Sequence, residues 1–331
     1  MNRRDTLLAL GAFGAAVTPF AAGAQQPDRV RRIGVLLGQS EKTPGALSRH
    51  AVFKESLAAL GWAEGRNLSI ELRWSEGDVN RAAVLARELV ALPPELIVCT
   101  TTSVTAALQR ETRTVPIVFI AVSDPVGSGL VKTLSQPGGN ITGFIDLESS
   151  LIEKSLELLK EIAPRVTRVA VMFNPDTAPY AEYYLRPLKT AAPKLGVKTF
   201  TATARSESDI EEGIAGLGRE PGGGLIVMPD SFMGIHHKAT IALAARHKVP
   251  ATYFAGPWVA GGGLSSYGVD IVDLRRRAAS YVDRILRGAK PAELPVQQPV
   301  KFELFVNLQT AKALGLSIPQ AVLLRADKVI E

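Results

Sequence analysis

The sequence alternates short apolar runs of β-strand character with amphipathic runs of helical period, and it does so in two successive series. The first series extends from residue 32 to 145, and the second extends from about 149 to 288. Parallel strands cannot be joined by hairpins and need crossover segments, which are here the helical runs. The sequence therefore predicts an α/β fold with two doubly wound parallel-sheet lobes joined by a hinge. A length of 331 residues agrees with two lobes rather than one.

The predicted strands indicate where a ligand should bind. In open α/β sheets, ligands bind in the crevice at the carboxyl ends of the strands. With two such lobes, we expect the binding site in the cleft between them. The run at 67–74 alternates apolar and polar residues, which predicts an edge strand. The other strand-like runs occupy 32–37, 96–100, 116–122, 140–145, 168–173, 197–203, 223–228, 250–255, 264–269 and 301–306.

Composition limits the chemistry that the chain can perform. The single cysteine, Cys99, excludes an intramolecular disulfide and a cysteine-based zinc site, and it lies inside an apolar run typical of the core. His236 and His237 are adjacent on a predicted helix and diverge by about 100°, so they cannot form a two-ligand metal site. We therefore expect neither a metal nor a cofactor. The net charge of +6 is modest and scattered, which argues against a nucleic-acid partner.

The N-terminal segment has the pattern of an export signal. A basic start, Met1-Asn2-Arg3-Arg4, precedes an apolar run at 6–22 and a small-x-small sequence that ends at Ala24. The pattern predicts that residues 1–24 are removed and that the mature protein is periplasmic; an N-terminal helix or anchor is the alternative. The paired arginines resemble a twin-arginine signal, and the absence of a cysteine near the cleavage site excludes a lipoprotein.

Hydroxyl and carboxyl side chains follow the predicted strands of the first lobe. Thr101, Thr102 and Ser103 begin a helix, where unpaired backbone N–H groups and hydroxyl donors suit a carboxylate; simple capping is the alternative. Ser123 and Asp124 follow the next strand, and Asp124 either caps the following turn or faces the cleft.

Similar positions in the rest of the chain add further candidates. Gln39 follows the first strand. It is either a hydrogen-bonding partner of the ligand or a solvated loop residue. Asn174 follows a buried strand of the second lobe, and Asp230 and Ser231 follow another. Asp230 either accepts a ligand ammonium or caps a helix. Asp176, which follows Asn174-Pro175, offers the same two alternatives, and Asp230 is the better of the two because Met228-Pro229 ends its strand abruptly.

Signatures of common enzymes are missing from the sequence. It contains no G-x-S-x-G and no G-x-x-x-x-G-K-[ST], and no G-x-G-x-x-G opens a helix after a strand. Together with export and a two-lobe cleft, this favours binding over catalysis, and we assign no catalytic residue. An exported α/β enzyme that uses the same cleft is the alternative.

Several motifs spread over nearly all of the mature chain carry a family resemblance. They include PIVF at 116–119, DPVGSGLV at 124–131, PGGNITG at 137–143 and Arg325-Ala326-Asp327. With these motifs the chain resembles the substrate-binding proteins of ABC transporters in the tryptophan/aromatic amino-acid-binding group. The resemblance implies a type I periplasmic-binding-protein fold with three hinge crossings and a ligand clamped between the lobes. It also implies a transient partnership with an ABC permease of the inner membrane, and we expect a monomer.

The resemblance further implies which segments and residues form the site. The N-terminal lobe is expected to hold residues 30–145 plus 265–290, and the C-terminal lobe 146–264 plus 291–331. The implied function is that of a periplasmic solute-binding component of an ABC import system, with an amino acid or aromatic acid as ligand. We expect the helix start at 101–103 to hold the ligand carboxylate and Asp230 on the opposite lobe to face its polar or cationic end. The implied ligand contacts are Thr101, Thr102, Ser103, Ser123, Asp124, Asn174 and Asp230.

Overall fold

The structure is a computed structural model that describes residues 30–43, 45–146 and 150–331. The expected export signal, residues 1–24, lies outside the described residues. The described residues form two sheets with helices packed on both faces. No helix in this part of the chain is long and apolar enough to cross a membrane.

The first sheet contains parallel strands in the order β2-β1-β3-β4-β5. Strand β3 is entirely buried because helices cover both faces of the sheet, which explains its continuous apolar sequence. Strand β2 lies at the edge and is partly exposed, as its alternating sequence predicts. The elements are β1 (Arg31–Leu37), α1 (Ala46–Ala59), β2 (Leu68–Trp74), α2 (Val79–Ala91), β3 (Leu96–Thr100), α3 (Thr102–Glu111), β4 (Ile117–Val122) and β5 (Ile141–Ile145).

The second sheet has the strand order β12-β11-β10-β9-β8-β6-β7. Its pairs are parallel except for β10 with β11, so the prediction of a parallel sheet is wrong for this pair. The elements are α4 (Ser150–Ile162), β6 (Arg168–Phe173), α5 (Ala181–Lys194), β7 (Lys198–Thr203), α6 (Glu207–Gly218), β8 (Gly223–Val227), α7 (Ser231–Ile235), α8 (His237–Arg246), β9 (Ala251–Tyr253), α9 (Gly256–Ala260), β10 (Ser265–Val269), α10 (Ile271–Leu286), a 3₁₀ turn (Pro291–Glu293), β11 (Phe302–Asn307), α11 (Leu308–Ala313), α12 (Gln320–Arg325) and β12 (Lys328–Ile330).

Two segments of the second lobe differ from the sequence prediction in a way that shapes the cleft. His236 and His237 were expected on one helix, but α7 ends before His236, whose backbone leaves the helical conformation, and α8 begins at His237. The short helix α9 was not predicted, and it carries Trp258.

The chain passes between the two sheets three times: between β5 and α4, between β10 and α10, and between residues 297 and 302. Helix α10 follows β10 of the second sheet, yet it packs against α1 and β4 of the first. Asp270 caps this helix, because its carboxylate accepts the N–H groups of Val272 and Asp273 at 2.9 and 3.0 Å. The second crossing therefore ends in a capped helix with a defined starting point.

The hydrogen bonds of two segments correct the expected lobe boundaries. Residues 265–269 were expected in the first lobe, but as β10 they pair with β9 and β11 of the second sheet. Part of the connector after residue 291 lies against the first sheet instead of the second lobe. There the Thr142 hydroxyl donates to the Leu294 carbonyl at 2.6 Å, and the Gln297 N–H donates to the Gly143 carbonyl at 2.9 Å. Sequence periodicity identifies a strand but not the sheet edge that receives it.

Candidate functional site

A cavity of about 150 Å³ lies between the two lobes, at the carboxyl ends of their strands. The first lobe contributes the ends of β1, β3, β4 and β5 and the first turn of α1. The second lobe contributes the segments that follow β6, β8 and β9, and α10 contributes residues after the second crossing. The lining residues are Gln39, Thr43, Arg49, Thr100, Thr101, Thr102, Ala121, Asp146, Tyr180, Pro229, Asp230, Ser231, Gly234, Phe254, Ala255, Pro257, Trp258, Ile271 and Arg275.

The first-lobe wall is held together by Thr100 at the end of β3. Its hydroxyl accepts the Gly38 N–H at 2.8 Å and donates to Gln39 Oε1 at 3.2 Å, which fixes the Gln39 side chain at the cavity. A Cβ at Gly38 would approach the Thr101 side chain to 2.7 Å, so a larger residue there would force the Thr101 side chain to shift. Thr101 has a φ of 72°, a left-handed conformation that costs about 1–3 kcal/mol in a non-glycine residue and is concentrated at functional sites.

Thr102 reaches the cavity, but its hydroxyl already has two partners. It donates to the Ser123 carbonyl at 3.0 Å and accepts the Ser123 N–H at 3.1 Å, which joins α3 to the end of β4. The Thr101 side chain makes no capping bond to α3. Ser103 is half-buried and does not line the cavity. Of the hydroxyl run, Thr101 is thus the member best placed for a ligand.

Two carboxyl groups next to the first lobe have different roles. Asp124 Oδ1 accepts the Gly127 N–H at 2.8 Å, so Asp124 stabilises the turn after β4, which was one of its two predicted roles. Asp146 lines the cavity at the first crossing and accepts the Ser123 hydroxyl at 2.8 Å. Burial raises the pKa of Asp146 to about 6, against the opposing effect of the Ser123 hydrogen bond. Ser123 therefore acts on the cavity through Asp146.

Asp230 lies at the cavity and is the N-cap of α7. Its Oδ1 accepts the Met233 N–H at 2.7 Å and the Thr177 hydroxyl at 3.0 Å, and its Oδ2 accepts the Asn174 N–H at 3.0 Å. The residue is only 7% exposed. Burial raises the pKa of its carboxyl to about 6 even though these hydrogen bonds favour the charged form. The predicted capping role is present, and the predicted contact with a ligand cation stays a prediction.

The Asn174 side chain serves the second lobe rather than the cavity. Its Oδ1 accepts the Asp176 N–H at 2.8 Å in a local turn, and Asn174 is not among the lining residues. Ser231, the first residue of α7, does line the cavity. Of the residues selected from the sequence, the cavity thus brings together Gln39, Thr101, Thr102, Asp230 and Ser231; those placed beside it are Ser103, Ser123, Asp124 and Asn174.

Aromatic side chains form much of the second-lobe wall. Trp258 is 5% exposed, and its ring centroid lies 5.0 Å from that of Phe254 and 5.1 Å from that of Tyr253. The Tyr180 hydroxyl donates to the Pro229 carbonyl, which holds this ring at the cavity. Trp258 is not among the residues selected from the sequence, because an isolated tryptophan does not reveal which surface it will face.

Two arginines in the cavity were not selected from the sequence. Arg275 is 2% exposed, and its Nε and Nη1 have no hydrogen-bond partner among the described residues. Burial, together with the charge of Arg49, lowers the pKa of Arg275 to about 9. Arg275 belongs to a run of three arginines at 275–277, and Arg276, the next residue, is exposed. Only the packing of α10 decides which of the three faces inward.

Two further observations concern nucleophiles and metals. Cys99 is a fully buried core residue, as predicted, and burial raises the pKa of its thiol to about 12. Over residues 30–43, 45–146 and 150–331, no group of three histidine, cysteine, aspartate or glutamate side chains converges as a metal site would require.

Two α/β lobes, three crossings and a cavity at the strand ends define a protein that encloses a small molecule between its lobes. The model of the family described as ABC transporter substrate binding protein matches residues 39–330, so the chain belongs to that family. The fold is the type I periplasmic-binding-protein fold, as predicted.

Three similar proteins illustrate the relationship. A tyrosine-binding protein from Clostridioides difficile (strain R20291) is 26% identical over 292 residues, which cover 88% of this chain and 84% of that protein. A conserved domain protein from Vibrio cholerae is 32% identical and has a TM-score of 0.84. The match covers 91% of this chain and 100% of that protein. An ABC domain from Streptococcus pneumonia, solved in complex with L-Trp, is 28% identical and has a TM-score of 0.83. The match covers 91% of this chain and 99% of that domain.

Proposed function

We propose that this chain is the periplasmic solute-binding component of an ABC import system. It captures a small carboxylate-bearing ligand, an aromatic amino acid or an aromatic acid, and delivers it to a permease in the inner membrane. The observation that carries this proposal is the composition of the inter-lobe cavity. One wall is polar, with Gln39 and Thr101, and the other is aromatic, with Trp258, Phe254 and Tyr180.

The size and lining of the cavity support an aromatic ligand. Apolar cavities of about 150 Å³ accommodate a benzene ring, and this cavity has a similar volume. Aromatic rings gain about 0.5–1.5 kcal/mol per pair beyond area burial when they pack edge-to-face or offset. The names of two relatives point the same way, since one is a tyrosine-binding protein and another was solved with L-Trp.

Capture follows from the division of the cavity between two lobes. Neither lobe alone surrounds a ligand, so a ligand that contacts both walls stabilises the arrangement in which the lobes meet. The three crossings are the segments at which the lobes can rotate. The closed pair of lobes then presents a single surface for the permease to recognise.

The side chains of the cavity are better suited to holding a ligand than to reacting with one. The carboxylates of Asp230 and Asp146 accept hydrogen bonds from the protein, and the Cys99 thiol lies in the core. An exported enzyme is the second candidate, because two carboxyl groups with pKa values of about 6 are of the kind used in general acid–base catalysis.

Thermal unfolding of the mature protein tests the proposal. The protein is unfolded, washed and refolded to remove bound molecules, and it is then scanned with L-tryptophan, L-tyrosine, L-phenylalanine, phenylacetate and indole-3-acetate, with L-alanine and glucose as controls. A ligand at about 100 times its Kd adds about 2.7 kcal/mol to the free energy of unfolding. The proposal fails if no aromatic compound stabilises the protein. Mass spectrometry of the recovered ligand decides between the candidates, since a changed mass would indicate an enzyme.

A further inference from the structure

We propose that the Arg275 guanidinium is the anion-binding centre of the cleft and takes the ligand carboxylate, in place of the helix start at 101–103. The ligand class is then an organic carboxylate, and neutral amides and esters of the same shape are excluded. This inference rests on the proposed function, because it concerns the ligand of the same cavity.

The first argument is the environment of Arg275 itself. The side chain is 2% exposed and lines the cavity, while its Nε and Nη1 have no hydrogen-bond partner among the described residues. Buried polar groups in proteins are almost always paired, and an unpaired buried charge is strongly unfavourable. A guanidinium offers several N–H groups in a planar fork, which matches the two oxygens of a carboxylate.

The second argument is the charge around Arg275. Its neighbours are predominantly cationic: Arg49 also lines the cavity, and Arg275 and Lys54 both act to lower the pKa of His50, although burial of that imidazole is the main cause. Lys54 forms an ion pair with Glu64, so that carboxylate is already engaged. Among the described residues, the charge that acts on Arg275 is thus that of another cation, and an anionic ligand would oppose it.

The third argument is that the carboxylates of the cavity are held elsewhere. Asp230 accepts hydrogen bonds from Met233, Thr177 and Asn174, and Asp146 accepts one from Ser123. In the described part of the chain, neither forms an ion pair with Arg275. Rotation of one of these side chains toward Arg275 would leave buried donors without acceptors.

The position of Arg275 also links anion binding to lobe closure. It lies in the second turn of α10, which begins directly after the second crossing, and Ile271 at the start of that helix lines the same cavity. A carboxylate held by Arg275 therefore sits next to a segment at which the lobes rotate. The aromatic part of the ligand would extend from there toward Trp258 on the other lobe.

The test uses the mature protein, Arg275→Met and Arg276→Met. Arg276 is the matched control, because it undergoes the same chemical change on the same helix but is exposed. Calorimetry compares acid and amide pairs: L-tryptophan with L-tryptophanamide, L-tyrosine with L-tyrosinamide, and phenylacetate with phenylacetamide. We expect the unmodified protein and Arg276→Met to prefer the acid by about tenfold to a hundredfold, and Arg275→Met to lose that preference. A preference that persists in folded Arg275→Met overturns the proposal.

A second measurement decides the case in which no probe binds and the proposed function fails. Because an unpaired buried cation destabilises the ligand-free protein, Arg275→Met should unfold at a higher temperature than Arg276→Met, by about 2–4 °C or more. An unfolding temperature equal to or below that of Arg276→Met would mean that Arg275 serves the structure, and it would overturn the inference independently of any ligand.

Discussion

The carboxyl group of Asp230 should make the stability of the ligand-free protein depend on pH in a direction opposite to that of most carboxylates. Burial raises its pKa from 3.8 to about 6, against the hydrogen bonds from Met233, Asn174 and Thr177. The folded protein therefore binds this proton more tightly than the unfolded chain does. The free energy of unfolding that Asp230 contributes is largest below pH 4, falls as the pH rises through 6, and is constant above about pH 7.

The size of the effect follows from the two pKa values. At about 1.4 kcal/mol for each pKa unit, a change from 3.8 to about 6 corresponds to about 3 kcal/mol in total. Roughly 2.4 kcal/mol of this falls between pH 4 and pH 7. Burial raises the pKa of Asp146 in the same direction, and carboxylates such as Asp209, whose pKa is lowered mainly by the Arg205 N–H, act in the opposite sense. The contribution of Asp230 must therefore be obtained as the difference in the free energy of unfolding between the unmodified protein and a variant that lacks this carboxyl group.

Urea denaturation of the unmodified protein and Asp230→Asn at pH 4, 5, 6 and 7 provides that difference. The amide oxygen can still accept from Met233 and Thr177, but the amide NH₂ faces the Asn174 N–H, so the variant should be less stable at pH 4. Its deficit should shrink by about 2–3 kcal/mol between pH 4 and pH 7. Asp176→Asn, on the exposed loop next to Asn174, is the control and should show no such trend. A deficit of Asp230→Asn that stays constant across this range would refute the reasoning.

Three further predictions concern the cavity wall, the first lobe and the N-terminus. Trp258→Ala should lower the free energy of unfolding by about 3–5 kcal/mol and weaken the binding of an aromatic ligand at least tenfold. Trp258→Phe should lose less of both. If calorimetry finds unchanged affinity, an aromatic contact with the ligand is excluded. Thr102→Val leaves two buried backbone groups of Ser123 without partners, so it should lower the free energy of unfolding measured in urea by about 1–3 kcal/mol. Ser103→Ala should lower it by less than about 0.5 kcal/mol. Equal losses would contradict the structural role assigned to Thr102. N-terminal sequencing of the exported protein should begin at Gln25, and a mature chain that starts at Met1 would contradict the predicted signal.

Much of the fold was predictable because it depends on local properties of the chain. Alternation of strand and helix patterns indicates parallel sheets, the polar alternation of β2 indicates an edge, and Asp270 is a recognisable helix cap. The carboxyl ends of parallel strands are also visible in the sequence. For that reason Gln39 and Thr101, in the segments after β1 and β3, were expected at the strand ends, and both line the cavity.

The remaining features depend on contacts between segments far apart in the sequence. Strand β10 has no local signal that assigns it to the second sheet, and the antiparallel direction of β11 follows from the third crossing. Two of the three hydrogen-bond partners of Asp230 come from residue 174 and residue 177, more than 50 positions away.

The sequence by itself determined two α/β lobes and a cleft at their strand ends, because the period of each segment and the alternation of strands with helices are encoded locally. Only the tertiary structure decided which charges the cleft contains. The run at 275–277 reads as three equivalent arginines, and the packing of α10 against α1 buries Arg275 beside the cavity and leaves Arg276 in solvent. Burial also changes the chemistry of the groups it encloses: the same carboxyl that would be fully ionised at pH 6 on the surface is half-protonated at Asp230, because desolvation penalises its charged form.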